Sequence, residues 1–353
     1  MLKTLSELPL IFEKYKPHIE KEIKSLISSR DLIKISKNGS TIYEMMSYHL
    51  GWLDFSGAKA KSNSGKYLRA TLTLLTSESV SGDFKKALPA AAAIELIHNF
   101  SLVHDDIQDD DELRRHKPTV WKIWGKPQAI NVGSAMKTLA NLAAYNLYDK
   151  KICAENLIKI LKIIDQSCLR MIEGQYLDID FEKRLEITIE DYLHMIERKT
   201  AALIECSLQI GALIDLNPVK VKYFKDFGKN LGLAFQIKDD ILGIWGNDKK
   251  TGKPSGNDIK KKKKSFPVVC ALSTMKESEK RKFFNIYSKK TIDDSDVQKI
   301  INILNGSNSQ EISQKKTEHY YNLALSDLKK LPVNKDKIKD YEIILNFLVN
   351  RDF

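Results

Sequence analysis

The chain has 353 residues and a formal net charge of +11, from 57 Lys and Arg against 46 Asp and Glu. Hydrophobic residues make up 42 % and charged residues 29 %, the balance of a soluble globular protein with chain enough for a sizeable core. With 16 Gly, 9 Pro and 4 widely spaced Cys (Cys153, Cys168, Cys206, Cys270), it is not collagen-like, linker-dominated, or a disulfide or zinc-ribbon scaffold. The cysteines read as small buried side chains in a reducing compartment. No apolar run reaches the ~18 residues of a membrane span. The first residues scatter acids among apolar positions, unlike a signal or transit peptide, so a cytoplasmic location is expected.

In chain order, residues 6–29 repeat apolar positions at three- and four-residue steps, which predicts an amphipathic helix within an N-terminal segment of residues 1–40. After a break at Ser62–Gly65 come Lys66 and Arg69, two cations one helical turn apart. Residues 84–112 predict a helix that is Ala-rich and apolar from Leu88 to Ile97 and then strongly acidic. On a helix Asp105 and Asp109 lie about 40° apart, with Asp106 beside them and His98 on the same stripe two turns earlier. Carboxylates converging on one face repel each other unless a cation holds them. Oxygen-only ligands favour a hard ion such as Mg²⁺ shared with a phosphate. A solvated acidic helix end is the alternative. The run leads directly into Arg114 and Arg115, so both signs of charge meet there.

A break at Pro118–Pro127 precedes predicted helices at 133–148, 153–180, 189–215 and 219–246. Lys199-Thr200 sits inside the otherwise apolar stretch Ile196 to Ile204, where a lysine is costly unless paired. The segment Phe235 to Gly243 places Gln236, Asp239 and Asp240 on one arc. Two acidic pairs, each ending an apolar helix, suggest facing walls of one cavity that clamps metal ions around a polyanion. The break Gly246–Pro267 carries Gly252-Lys253 and the run Lys260 to Lys264. Its spacing fails as a phosphate-binding P-loop, and the lysine run lacks the aromatic residues of a nucleic-acid-binding segment. A helix at 279–289 and the rest of 276–353 read as helices closing the core. Nothing alternates as a strand over a useful length, no repeat recurs, and no break is long enough for a linker. The expected fold is all-α, a single domain over 1–353 with roughly a dozen helices.

These blocks, in this order, resemble the trans-type isoprenyl (polyprenyl) diphosphate synthases from about residue 40 to the C-terminus, most of all the geranylgeranyl and farnesyl diphosphate synthases. They are Gly65-Lys66-x-x-Arg69; His98; Asp105-Asp106-x-x-Asp109 with Arg114-Arg115; Gly174-Gln175-x-x-Asp178; Lys199-Thr200; Phe235-Gln236-x-x-Asp239-Asp240; and Gly252-Lys253 followed by Asp258 and Lys263. The resemblance implies an isoprenoid-synthase-type helical bundle around a central cavity, a homodimer, and three Mg²⁺ ions with bound diphosphate, Mn²⁺ being able to substitute. It implies a prenyltransferase that joins isopentenyl diphosphate head to tail with an allylic diphosphate (dimethylallyl, geranyl or farnesyl), with no nucleic acid and no membrane span. By motif, Asp105, Asp109 and Asp239 would ligate Mg²⁺, supported by Asp106 and Asp240. Arg114, Lys199 and Lys253 would hold the allylic diphosphate. Lys66, Arg69, His98 and Arg115 would hold isopentenyl diphosphate. Thr200 and Gln236 would face the developing cation, and Lys263 aligns with a second loop lysine.

The chain departs from the family pattern at Gly243, where many members carry a third Asp, and at His116, Ala70 and Ser134, which replace a usual Gly, Pro and Asp. Product length in the family is tied to the residues five and four before the first Asp, here Phe100 and Ser101. One aromatic followed by a small residue resembles the geranylgeranyl pattern. A farnesyl product is the alternative. A class I terpene cyclase shares the fold and acids but lacks the isopentenyl site that Lys66, Arg69 and His98 imply.

Overall fold

The computed structural model describes residues 8–28, 40–60, 65–184, 186–215, 218–246 and 256–350. They form two compact units. Leu8–Gln166 with Cys206–Val221 makes one, and Ser167–Glu205 with Lys222–Phe353 makes the other.

The first unit is built on α1 (Leu10–Ser28), α2 (Ile42–His49), α3 (Leu68–Ser81), α4 (Leu88–Gln108), α5 (Val120–Trp124), α6 (Lys126–Tyr145) and the start of α7 (Ala154–Lys183). The apolar period of α1 buries Phe12, Tyr15, Ile19 and Ile23, each worth about 1.5–3 kcal/mol on transfer from water. Tyr15 also donates its hydroxyl to Glu78 at 2.6 Å, tying α1 to α3. Thr41 and Glu44 close a capping box at the start of α2. Ala90 to Ala93 are fully buried on α4, and such small side chains let the neighbouring helices come close. Along α6, Ala129, Val132, Gly133, Met136, Ala140 and Ala143 form the packed face. Between α4 and α5 lies the only sheet among the described residues, Leu113–Arg114 paired with Lys117–Pro118. Its two turn residues, Arg115 and His116, have φ of 52° and 62°. Such a tight turn needs left-handed backbone at both positions, so His116, in place of the usual Gly, sits in a conformation that glycine adopts without strain.

The second unit continues α7 and adds α8 (Ile189–Ile196), the start of α9 (Ala202–Leu213), α10 (Pro218–Trp245), α11 (Asn257–Lys260), α12 (Phe266–Thr274), α13 (Glu277–Tyr287), α14 (Asp294–Gly306), α15 (Ser309–Leu328) and α16 (Lys335–Val349). Between α8 and α9 the chain makes one π-helical turn, Glu197–Ala201. Phe266 to Leu272 of α12 are all buried. This helix serves two apolar clusters. One includes Phe181, Tyr192, Ile196, Ile237 and Val269. The other includes Ile244, Ile259, Phe283, Val297 and Ile300.

The long helices fall close to their predicted spans. Helix α6 begins seven residues before the predicted start at 133, and α12 has no counterpart among the predicted helices. In both, a proline read as a break sits in the first turn, where its missing N–H is no loss. The cysteine expectation also needs correcting, since Cys168, Cys206 and Cys270 are buried but Cys153 is exposed.

Candidate active site

In the first unit the acids occupy the C-terminal end of α4. Carboxylates are unfavourable at that end of a helix dipole, so they are not there for helix stability. Asp105 and Asp109 are half-buried, one turn apart, and Asp109 caps the helix with its N–H on the Asp105 carbonyl. Asp106 points the other way and is 1 % exposed. Its Oδ1 accepts from Arg114 Nε at 2.8 Å and Nη2 at 2.7 Å, while its buried Oδ2 has no hydrogen-bond partner. Burial pushes the Asp106 carboxyl up to about 6 against the pull of Arg114.

Beside this end stand the residues expected to hold isopentenyl diphosphate. Arg69 Nη1 lies 3.3 Å from His98 Nε2. Arginine only donates, so that nitrogen accepts and the imidazole proton sits on Nδ1. Burial first, then the charges of Arg69, Arg115 and Arg114, push the His98 imidazole well below its ordinary value, so it is neutral. Gly65 lies against Arg115, and a Cβ there would come within 2.9 Å of Nη2. Lys66 is exposed at the entrance to α3. Phe100 is buried, with its ring edge-on to His104 at 5.4 Å between centroids, and half-buried Ser101 donates to the His98 carbonyl at 2.8 Å.

In the second unit a hydrogen-bonded chain runs through the predicted residues. Lys199 Nζ bonds Asp178 Oδ2 at 2.5 Å. Burial alone would raise the Asp178 carboxyl, but Lys199 and Lys263 hold it below its ordinary value. Thr200 Oγ1 donates to Gln236 Oε1 at 2.7 Å, and Gln236 Nε2 donates to Asp240 Oδ1 at 2.9 Å. Asp240 Oδ2 accepts from the Phe266 N–H at 2.7 Å and from the Tyr192 hydroxyl. Burial pushes the Asp240 carboxyl up to about 6. Lys199 and Thr200 sit in the π-helical turn, whose extra residue shifts side chains off the regular helical stripe. Two glycines clasp that turn. A Cβ on Gly174 would lie 2.2 Å from the Lys199 nitrogen, and one on Gly232 would lie 2.6 Å from Ala201 Cα.

The two acidic pairs follow one rule. Neighbouring helical residues point about 100° apart. In each pair the second aspartate turns into the protein and fixes its surroundings, and the first stays on the more exposed side. Tyr192→Phe would leave Asp240 Oδ2 with a single backbone donor, and we expect a loss of about 1–3 kcal/mol in urea unfolding. An unchanged midpoint would show that the hydroxyl does not hold this carboxylate.

Asp258 joins the second cluster without having been assigned a role from sequence. The space a Gly243 side chain would fill is taken by its carboxylate, with Oδ2 only 2.2 Å from the ideal Cβ position. Asp258 also raises the neighbouring Asp240 carboxyl. The signal was present, since Asp258 follows the Gly-Lys block, but only folding brings it to Gly243. Lys253 and Gly252 lie outside the described residues. Among the described residues no three His, Cys, Asp or Glu side chains converge to enclose a metal by themselves. The partly exposed donors Asp105, Asp109 and Asp239 are nonetheless all carboxylates, and oxygen-only donors fit a hard divalent cation.

An all-α fold with paired aspartates near helix C-termini and basic side chains beside them defines an isoprenoid-synthase-type protein. The polyprenyl synthetase profile matches residues 52–304, and the chain belongs to that family, as an isoprenyl diphosphate synthase and hence a prenyltransferase. It is 40 % identical over 288 residues to a short chain isoprenyl diphosphate synthase of Methanocaldococcus jannaschii, covering 81 % of this chain and 85 % of that one. It is 38 % identical over 289 residues to a geranylgeranyl diphosphate synthase of Saccharolobus solfataricus, covering 81 % and 86 %. The crystal structure of geranylgeranyl pyrophosphate synthetase from Pyrococcus horikoshii superposes with a TM-score of 0.84 at 35 % identity, covering 97 % of each chain.

Proposed function

We propose that the protein condenses isopentenyl diphosphate with allylic diphosphates to give a short all-trans product, geranylgeranyl diphosphate. The observation that carries this reading is the split of both acidic pairs into an inward aspartate that braces the protein and a more exposed one left for a ligand. Asp105, Asp109 and Asp239 would hold Mg²⁺, with Asp106 and Asp240 as their inner supports. When bound, the ions would neutralise charge gathering on the departing pyrophosphate.

The chain's own residues supply the rest. The allylic C–O bond breaks with its electron pair leaving on pyrophosphate. Arg114 and Lys199, already fixed by Asp106 and Asp178, stabilise that charge without reorganising. Lys253 would share in this. Thr200 and Gln236, bonded to each other, would face the carbon that becomes positive. Lys66, Arg69 and Arg115 hold isopentenyl diphosphate, and neutral His98 orients Arg69. The isopentenyl double bond then attacks the allylic carbon, and the proton lost from the adduct passes to pyrophosphate, so no side-chain base is assigned.

Among the described residues the chain crosses between the two units three times, which supports one functional domain over 1–353. Helix α7 exposes Leu169, Ile172 and Tyr176 on successive turns, which supports a homodimer formed on that face. Three buried free thiols support a reducing compartment, and no helix among the described residues is long and apolar enough to cross a membrane.

The test is incubation with isopentenyl diphosphate and each allylic starter, with and without Mg²⁺, followed by product sizing. Metal-dependent elongation to a C20 diphosphate is expected. Conversion of an allylic diphosphate without isopentenyl diphosphate would point to cyclase chemistry instead. We further expect Phe100→Ala to lengthen the product by at least one isoprene unit, because it removes a buried ring beside His104. An unchanged chromatographic chain length would rule out Phe100 as the stop.

A further inference from the structure

Glu95 lies one turn before His98 on α4 and is 3 % exposed, in a wall of alanine and isoleucine. A carboxylate that deep is costly unless something nearby needs its charge. Its Oε1 accepts from Asn99 Nδ2 at 3.0 Å. Its Oε2 is buried and has no hydrogen-bond partner. The cations that act on it are Arg69 and Arg115. In return it opposes the loss of charge that burial imposes on both guanidinium groups. Arg69 in turn has a buried Nε without a partner.

This arrangement differs from a direct salt bridge. A carboxylate bonded to the guanidinium N–H groups would compete with an incoming diphosphate for the same donors. A buried carboxylate that bonds Asn99 and leaves its second oxygen unpaired can balance two like charges while leaving their donors to the ligand.

We propose that Glu95, steadied by Asn99, is a positioning residue for isopentenyl diphosphate, the buried countercharge that holds Arg69 and Arg115 ready in the empty site. This rests on the isopentenyl site assigned under the proposed function. Glu95→Gln keeps the shape and the Asn99 contact but removes the charge. Its KM for isopentenyl diphosphate is expected to rise about tenfold, with KM for the allylic substrate changed less than about twofold. Equal rises in both, no rise in either, or a fall in kcat alone would overturn the proposal, because loss of packing has no reason to select one substrate. Asn99→Leu keeps the charge but releases Oε1, and the same split is expected at about threefold. If Glu95→Gln does not fold by circular dichroism, Asn99→Leu decides, and absence of a split there overturns the proposal. A wild-type enzyme that makes product without isopentenyl diphosphate would instead defeat the functional reading beneath it.

Discussion

Asp105→Ala is expected to lower kcat for condensation by about a thousandfold while leaving the fold intact. Its neighbour cannot take over. Asp106 is buried, bonded through Oδ1 to Arg114, and raised by burial to about 6. Stability should hold or rise by up to about 0.5 kcal/mol, because a negative charge leaves the C-terminal turn of α4. The two readouts therefore move apart, and single-turnover product formation beside urea unfolding checks both. A loss of activity below about tenfold would remove Asp105 from the metal-holding set. Asp106→Ala, unlike Asp105→Ala, should also lower stability, because it strips the partner from a largely desolvated guanidinium.

Gly174→Ala is the second large effect. The added methyl would meet the Lys199 nitrogen at 2.2 Å, its Cα at 2.6 Å and the Arg198 carbonyl carbon at 2.8 Å. All three are backbone atoms, so no side chain can swing away. We expect a loss of about 3 kcal/mol in stability. We also expect about a hundredfold loss in kcat/KM for the allylic substrate, as a displacement near 1 Å carries Lys199 and Thr200 with it. Gly306 is the control, because nothing lies within 4 Å of its added Cβ. Gly306→Ala should stay within about 1 kcal/mol of the parent. Equal behaviour of the two variants would show that α7 and the π-helical turn can separate freely.

The long helices were legible because their burial obeys the helical period, as α1 shows with Phe12, Tyr15, Ile19 and Ile23. Motif order also pointed to the residues now found bonded together, Lys199 with Asp178 and Thr200 with Gln236. Periodicity could not show which aspartate of a pair turns inward. That depends on Arg114 and Tyr192, which arrive from elsewhere in the chain. Nor could it reveal the π-helical turn, since one extra residue in a helix leaves no compositional trace. Helix α12 was hidden because Pro267 reads equally as a stop and as a first-turn residue. The tight turn at Arg115 and His116 was hidden because neither residue type advertises left-handed backbone.

The Asp258 carboxylate against Gly243 reverses an engineering intuition. Consensus repair would write aspartate at position 243, expecting to restore a lost acid. Here the space is already filled by the Asp258 carboxylate, itself a residue of the family pattern, and the restored side chain would compete with it. A glycine that looks like a missing acid can instead mark room that a side chain from another segment occupies.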